Sequence, residues 1–117
     1  KMQSGINVLL ELNNFENLLE NTTVVITGEG KTDFQSACGK VIYGISSKCK
    51  ERDIPVIVIS GSLGENIEQL YDVGVSTMEA AVCDVMNIDK AIENATINLE
   101  NAAERILRSI KIGMKLK

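Results

Sequence analysis

The chain has 117 residues, 44% of them hydrophobic and 24% charged, with a net charge of −4; this is one soluble-type domain at most, large enough for a core but not for two. The acidic balance, the lack of a basic patch and an aromatic content of 3% argue against a nucleic-acid partner and against base-stacking or sugar-stacking platforms. No apolar run reaches the length of a membrane span and no signal-peptide pattern opens the chain, so no membrane partner is expected. The absence of histidine removes Ser-His-Asp and Cys-His catalysis, HExxH zinc sites and histidine bases together. Acid–base work then falls to carboxylates, lysine, tyrosine or cysteine, and phosphoryl transfer, which relies on positioning and charge neutralisation, remains open. Cys38, Cys49 and Cys83 are an odd set without paired spacing, which reads as reduced thiols in a cytoplasmic protein.

The chain opens on an apolar, helical pattern, Ile6 to Leu10, with Ser4 placed to cap it. It reads as a chain entered partway. Asn13 or Asn14 is placed to cap a short helix from Phe15 to Leu19 that turns Leu18 and Leu19 inward. Residues 23–27 are β-branched and predict a buried strand that breaks at Gly28 and Gly30. A loop rich in Glu29, Lys31, Asp33, Ser36 and Lys40 follows, before a helical pattern beginning near Val41 in which Val41, Ile42, Ile45 and Cys49 fall at helical spacing. Asp53 ends that helix, and Pro55 disfavours helical geometry at Ile54. Residues 55–60 are apolar almost throughout, as expected of a parallel strand covered on both faces.

A second glycine-containing loop, Gly61 to Gly64, precedes a short helix whose inward stripe is Ile67, Leu70 and Tyr71, closed by Gly74. A weaker strand covers 75–78. Asn87 or Asp89 starts the next helical region. A long final helix then carries Leu99, Ala102, Ala103, Ile106, Leu107 and Ile110 on one apolar face, expected to be core. The β-α-β-α-β-α order predicts a Rossmann-like α/β fold: parallel strands with right-handed crossovers, helices on both faces. Three strands are about half of a doubly wound domain, since sheets average about five or six.

The stretch from Thr23 to Lys40 is the chemical centre of the chain, because ligands bind where strands of a parallel sheet end. Gly30-Lys31-Thr32 resembles the end of a Walker A loop, but the glycine needed five positions earlier is Val25. Gly28-x-Gly30 begins a dinucleotide fingerprint, but position 33 is Asp. On residue chemistry, Glu29 and Asp33 can hold Mg²⁺ or activate a hydroxyl, and Lys31 and Lys40 can neutralise phosphate. Ser36 and the backbone around Gly39 lie where a helix start favours anions. A solvated turn in which Asp33 caps the next helix explains the same residues.

Thr27-Gly28-Glu29-Gly30-Lys31-Thr32-Asp33-Phe34-Gln35-Ser36, followed by Gly39-Lys40, resembles the T-G-E-G-[RK]-x-D-x-Q-[ST]-x-x-G-K segment of the type 1 glycerate kinases. Ser4-Gly5-Ile6, Asn14-Phe15-Glu16, Pro55-Val56-Ile57 with Gly61, and Ala102 to Ile106 extend the likeness over essentially the whole chain. The resemblance implies an ATP-dependent, Mg²⁺-requiring cytoplasmic enzyme that phosphorylates D-glycerate. Residues 1–117 would then be the C-terminal part of its Rossmann-like domain, in a protein roughly three times longer. The missing N-terminal part would complete that domain, and the family's D-[ST]-F-K-G segment is absent here.

Within the motif, the expected assignments are Asp33 as base or orienter of the glycerate hydroxyl and Glu29 as metal or substrate ligand. Gly28, Gly30, Lys31, Gln35, Ser36, Gly39 and Lys40 are expected to bind substrate or phosphate. Phe34 stands where the family often has a small residue. Lys31 replaces the commoner arginine, keeping the charge but losing the planar fork. The rival expectations are a non-catalytic nucleotide- or metabolite-binding module, or an inactive fragment that self-associates through an open sheet edge.

Overall fold

A computed structural model describes residues 9–11, 14–32, 37–82 and 86–117. Its elements are helix α1 (Phe15–Leu18), strand β1 (Val25–Thr32), helix α2 (Ala37–Glu51), strand β2 (Val56–Leu63), a 3-10 helix (Ile67–Val73), strand β3 (Val75–Ala80), helix α3 (Ile88–Glu93) and helix α4 (Ala95–Leu116). The strands form one parallel sheet in the order β1-β2-β3. Helices lie on both faces, as an incomplete Rossmann-like α/β fold requires.

Strand β2 is central, and Val56, Ile57, Val58, Ile59 and Ser60 are all buried. Alternation sends Val56 and Val58 to one face and Ile57 and Ile59 to the other. The first pair joins Leu19, Ile42, Cys49, Ile54, Leu70 and Val75 in a core under α1, α2 and the 3-10 helix. The second pair joins Ala81, Ala102 and Ile106 in a smaller core under α4. The register of β2 with β3 slips between Val56 and Ile57. There the Val56 N–H donates to the Ser76 hydroxyl at 3.1 Å.

Turn chemistry sets the connections. Helix α2 ends in a Schellman motif: Ile54 N–H donates to Cys49 O at 2.9 Å and Asp53 N–H to Lys50 O at 3.1 Å. Asp53 takes the left-handed position, φ 56°, and the hydrophobic partners Ile54 and Cys49 both enter the core. Burial pushes the Cys49 thiol up from its ordinary pKa. Gly74, at φ 117°, closes the 3-10 helix and feeds the chain directly into β3. Asn87 is the cap of α3, its side chain accepting from Lys90 N–H at 2.9 Å. Asn14 precedes α1 in a left-handed conformation and makes no side-chain cap, contrary to the expectation for that position; Asn13 lies outside the described residues. Glu16 instead fastens α1 to the end of α2 through Lys48 at 3.1 Å and Arg52 at 3.2 Å.

Three expected inward sets are corrected. At the end of α1 Leu19 is buried, but Leu18 faces outward. The segment after Gly64 is a 3-10 helix, so its three-residue turn aligns Ile67, Leu70 and Val73. Leu70 is buried and Tyr71 faces outward. On α4, Ala102 and Ile106 are buried and Ala103 and Ile110 pack beside them, but Leu99 and Leu107 are about half exposed (48% and 55%). Helix α4 meets the sheet through Ala102 and Ile106, over Ile57 and Ile59 of β2, and the described residues leave these two leucines half uncovered. Among the described residues no helix is long and apolar enough to cross a membrane.

Candidate functional site

The motif does not leave the sheet where its glycines stand. Strand β1 runs to Thr32, pairing Gly28 with Ile59, Glu29 with Ser60 and Lys31 with Ser62, while β2 continues through Gly61 to Leu63. Gly28 is therefore paired strand, and Gly30 stays within the strand between two paired neighbours. The cause is a close approach across the pair: a Cβ on Gly61 would stand 2.5 Å from the Gly30 carbonyl oxygen. Without side chains the two backbones stay together to the end of the ladder.

Beyond this point the glycines open a floor. Gly28, Gly30 and Gly61, with Ile59, line one side of a cavity of about 790 Å³ on the α4 face of the sheet. A Cβ at Gly30 would meet nothing within 4 Å. The opposite wall comes from Ile88, Ala91 and Ile92 of α3 and from Ala95, Asn98 and Leu99 of α4. Ile88 and Ile92 are strongly exposed, at 74% and 68%. The cavity thus sits at the carboxyl ends of parallel strands, where an α/β sheet receives ligands.

Glu29 is half-buried and borders the cavity from between the two glycines, but alternation, with Glu29 paired to Ser60, turns its side chain to the face shared by Val56 and Val58. Asn98 is the one polar side chain of the helical wall, and its Nδ2 is enclosed without a hydrogen-bond partner. An orphaned amide of this kind is uncommon and costs stability where it stands. Ala81 and Val82, following β3, extend the cavity, and Ala81 N–H donates to Ser60 O at 2.6 Å. Arg105 of α4 reaches Glu79 of β3 at 3.3 Å, holding the helix over the third strand.

Of the motif residues, Gly28, Glu29 and Gly30 are brought together at the cavity. Lys31 lies next along β1 and Gly39 in the first turn of α2. Lys40 is exposed on α2, the helix packed against the other face of the sheet. Asp33, Gln35 and Ser36 fall outside the described residues. No group of three or more Cys, Asp or Glu side chains converges to hold a metal among the described residues.

The helical wall was not singled out in the sequence. Its signal was present: 88, 91, 92, 95, 98 and 99 recur at helical spacing across the Asn94 junction, and Asn98 interrupts an otherwise apolar row.

Residues 1–111 match the family model described as the glycerate kinase family. The chain is 35% identical over 106 residues to a glycerate kinase of Halalkalibacterium halodurans, covering 91% of this chain and 28% of that protein. It is 33% identical over 112 residues to a glycerate kinase of Bacillus subtilis, covering 96% and 29%. It is 32% identical over 115 residues to a glycerate 2-kinase of Escherichia coli, covering 98% and 30%. The chain therefore spans under a third of the length of these curated relatives.

Proposed function

The chain belongs to the glycerate kinase family, and from that premise we propose that it supplies part of the active site of an ATP-dependent kinase acting on D-glycerate. The observation that carries this reading is the placement of Gly28-Glu29-Gly30, the start of the family motif, at the cavity where the parallel strands end. We take residues 1–117 as the C-terminal part of a Rossmann-like domain in a longer cytoplasmic enzyme. The narrow three-stranded sheet and the half-exposed stripe of α4 support this, because both lack the neighbours of a finished doubly wound domain. The missing N-terminal part of the enzyme is then the chain's first partner.

In this reading Asp33 orients the reacting glycerate hydroxyl and accepts its proton as phosphorus is attacked. Histidine is absent from this chain, so among its own residues a motif carboxylate is the base this reading favours. Glu29 reaches the substrate or a magnesium ion from its place on β1 between the two glycines. One carboxylate there is compatible with Mg²⁺, which is usually held by one or two carboxylates together with phosphate oxygens. Bound Mg²⁺ supplies neutralisation of phosphate charge. Lys31 and Lys40 meet anionic groups of substrate and nucleotide, Gln35 and Ser36 offer hydrogen bonds to them, and Gly28, Gly30 and Gly39 keep the backbone open to close approach. The product is phosphoglycerate, with the 2-position favoured by the likeness to a glycerate 2-kinase.

The test is ADP release by the intact enzyme with D-glycerate and with other small hydroxy acids. Asp33→Asn is expected to lower kcat about a hundredfold or more with ATP affinity retained, the scale of a lost general base. A near-normal kcat accompanied by a lower melting temperature would make Asp33 a helix cap and remove it from the chemistry.

A further inference from the structure

We infer that the cavity between the glycine floor and the α3–α4 wall is the pocket for the nucleoside end of the phosphoryl donor, with Asn98 reading the base. This rests on the kinase reading above, which brings two ligands of opposite character to one site. D-Glycerate is a small anion bearing two hydroxyls and needs cations and hydrogen-bond donors around it. The cavity is unsuited to that: Ile59, Ile88, Ala91, Ile92, Ala95 and Leu99 make it apolar, and no Lys or Arg lines it among the described residues. The polyphosphate is excluded from its interior for the same reason.

The purine of the donor fits these conditions. It is flat, neutral and largely apolar, and it carries acceptors and donors only on its edges. A volume of about 790 Å³ lies within the range of about 300–1,000 Å³ typical of small-molecule pockets and far exceeds what a three-carbon acid fills. The bare backbone at Gly28 and Gly30 gives a ring a smooth floor, with open space where a Cβ would stand at Gly30. Asn98 adds the specificity that an apolar slot lacks. Its amide nitrogen is enclosed and unpartnered without ligand, so turning the carboxamide onto a ring acceptor relieves a buried polar group and forms a hydrogen bond in one movement.

The experiment measures binding of adenosine, ATP and D-glycerate separately to the intact enzyme by calorimetry, with melting temperatures recorded alongside. Ala95→Phe narrows the slot from α4 and is expected to weaken both adenosine and ATP by about tenfold or more, a change readily resolved by titration. D-Glycerate affinity should change by less than about twofold. Asn98→Leu keeps the side-chain size and removes the orphaned amide. It should hold or raise the melting temperature while weakening ATP about fivefold to tenfold, the scale of one hydrogen bond. A purely structural asparagine would not give that opposite pair of effects.

Unchanged ATP affinity in both variants overturns the inference, as does loss of D-glycerate binding with ATP binding intact. Failure of Ala95→Phe to fold, together with full ATP affinity in Asn98→Leu, also overturns it and identifies the cavity as one filled by polypeptide. The kinase reading is judged independently by the wild-type enzyme. Phosphorylation of D-glycerate with both variants binding ATP normally removes the pocket and keeps the kinase. ATP affinity that responds to both variants, without glycerate phosphorylation, keeps the pocket and removes the kinase.

Discussion

Gly61→Ala should separate the two strands that carry the site. A Cβ at Gly61 would lie 2.5 Å from the Gly30 carbonyl oxygen, about 0.9 Å short of the 3.4 Å at which ordinary contact begins. The obstructing atom is backbone, and no side chain can swing aside to relieve it. Strand β1 must therefore draw away from β2 at Gly30, breaking into a ladder that pairs Glu29 with Ser60 and Lys31 with Ser62 on either side. Overpacking of this kind costs about 1–3 kcal/mol. A displacement approaching 1 Å at groups that position a substrate costs about a hundredfold in kcat/KM.

The assay is urea denaturation of the intact enzyme beside steady-state ADP release. The control is Gly30→Ala, the same chemical change on the adjoining strand, where a Cβ meets nothing within 4 Å. The control should keep its stability within about 0.5–1 kcal/mol of wild type, since an added methyl there only trims backbone freedom. Equal stability for Gly61→Ala and Gly30→Ala would refute the close-approach reasoning. A destabilised Gly61→Ala with undiminished kcat/KM would place the end of β1 outside the active site.

Two further outcomes test the frame around the site. Gly74→Ala should lower stability by about 2–4 kcal/mol, because it adds left-handed strain to a clash: Gly74 has φ 117° and a Cβ there would stand 2.6 Å from Ser46 O. Its contacts are with α2, across the sheet from the cavity, so ligand affinities should survive, and a loss of ATP affinity without a loss of stability would contradict this. The hydrogen bonds from Lys48 and then Arg52 hold the Glu16 carboxyl below its ordinary pKa. A lowered carboxylate pKa stabilises the fold above the unfolded-state value and is lost as pH falls through the folded-state value. The urea midpoints of wild type and Glu16→Gln should therefore differ near neutrality and converge as pH drops below the usual carboxylate range; a gap that persists in acid would mean that Glu16 acts through packing.

The order of elements was legible in the sequence because its signals are local. Unbroken β-branched residues at 56–59 require cover on both faces, and β2 is indeed the central strand. Asp53 before Ile54-Pro55, Gly74 and Asn87 announced chain turns that depend on a residue's own dihedral preferences, and each closes or opens a helix as expected. The motif from Thr27 to Lys40 carried the family for a similar reason: its recognition needs residue identities in order, and no distances.

What lies opposite a residue is a different kind of information, and only the tertiary structure supplied it. Gly28 and Gly30 read as strand breakers, yet the strand runs through both: Gly28 pairs with Ile59, and Gly61 approaches Gly30 with no side chain to push the backbones apart. Tyr71 read as core and turned outward once the helix tightened to three residues per turn. Leu99 and Leu107 read as core and stayed half exposed, while Ala102 and Ile106 took the contact with β2. Asn98 read as nothing until α4 folded over the glycine floor and enclosed its amide without a partner. Periodicity along the chain determines which face a residue occupies; the spacing between elements, set by contacts far apart in sequence, decides whether that face is covered and what it can hold.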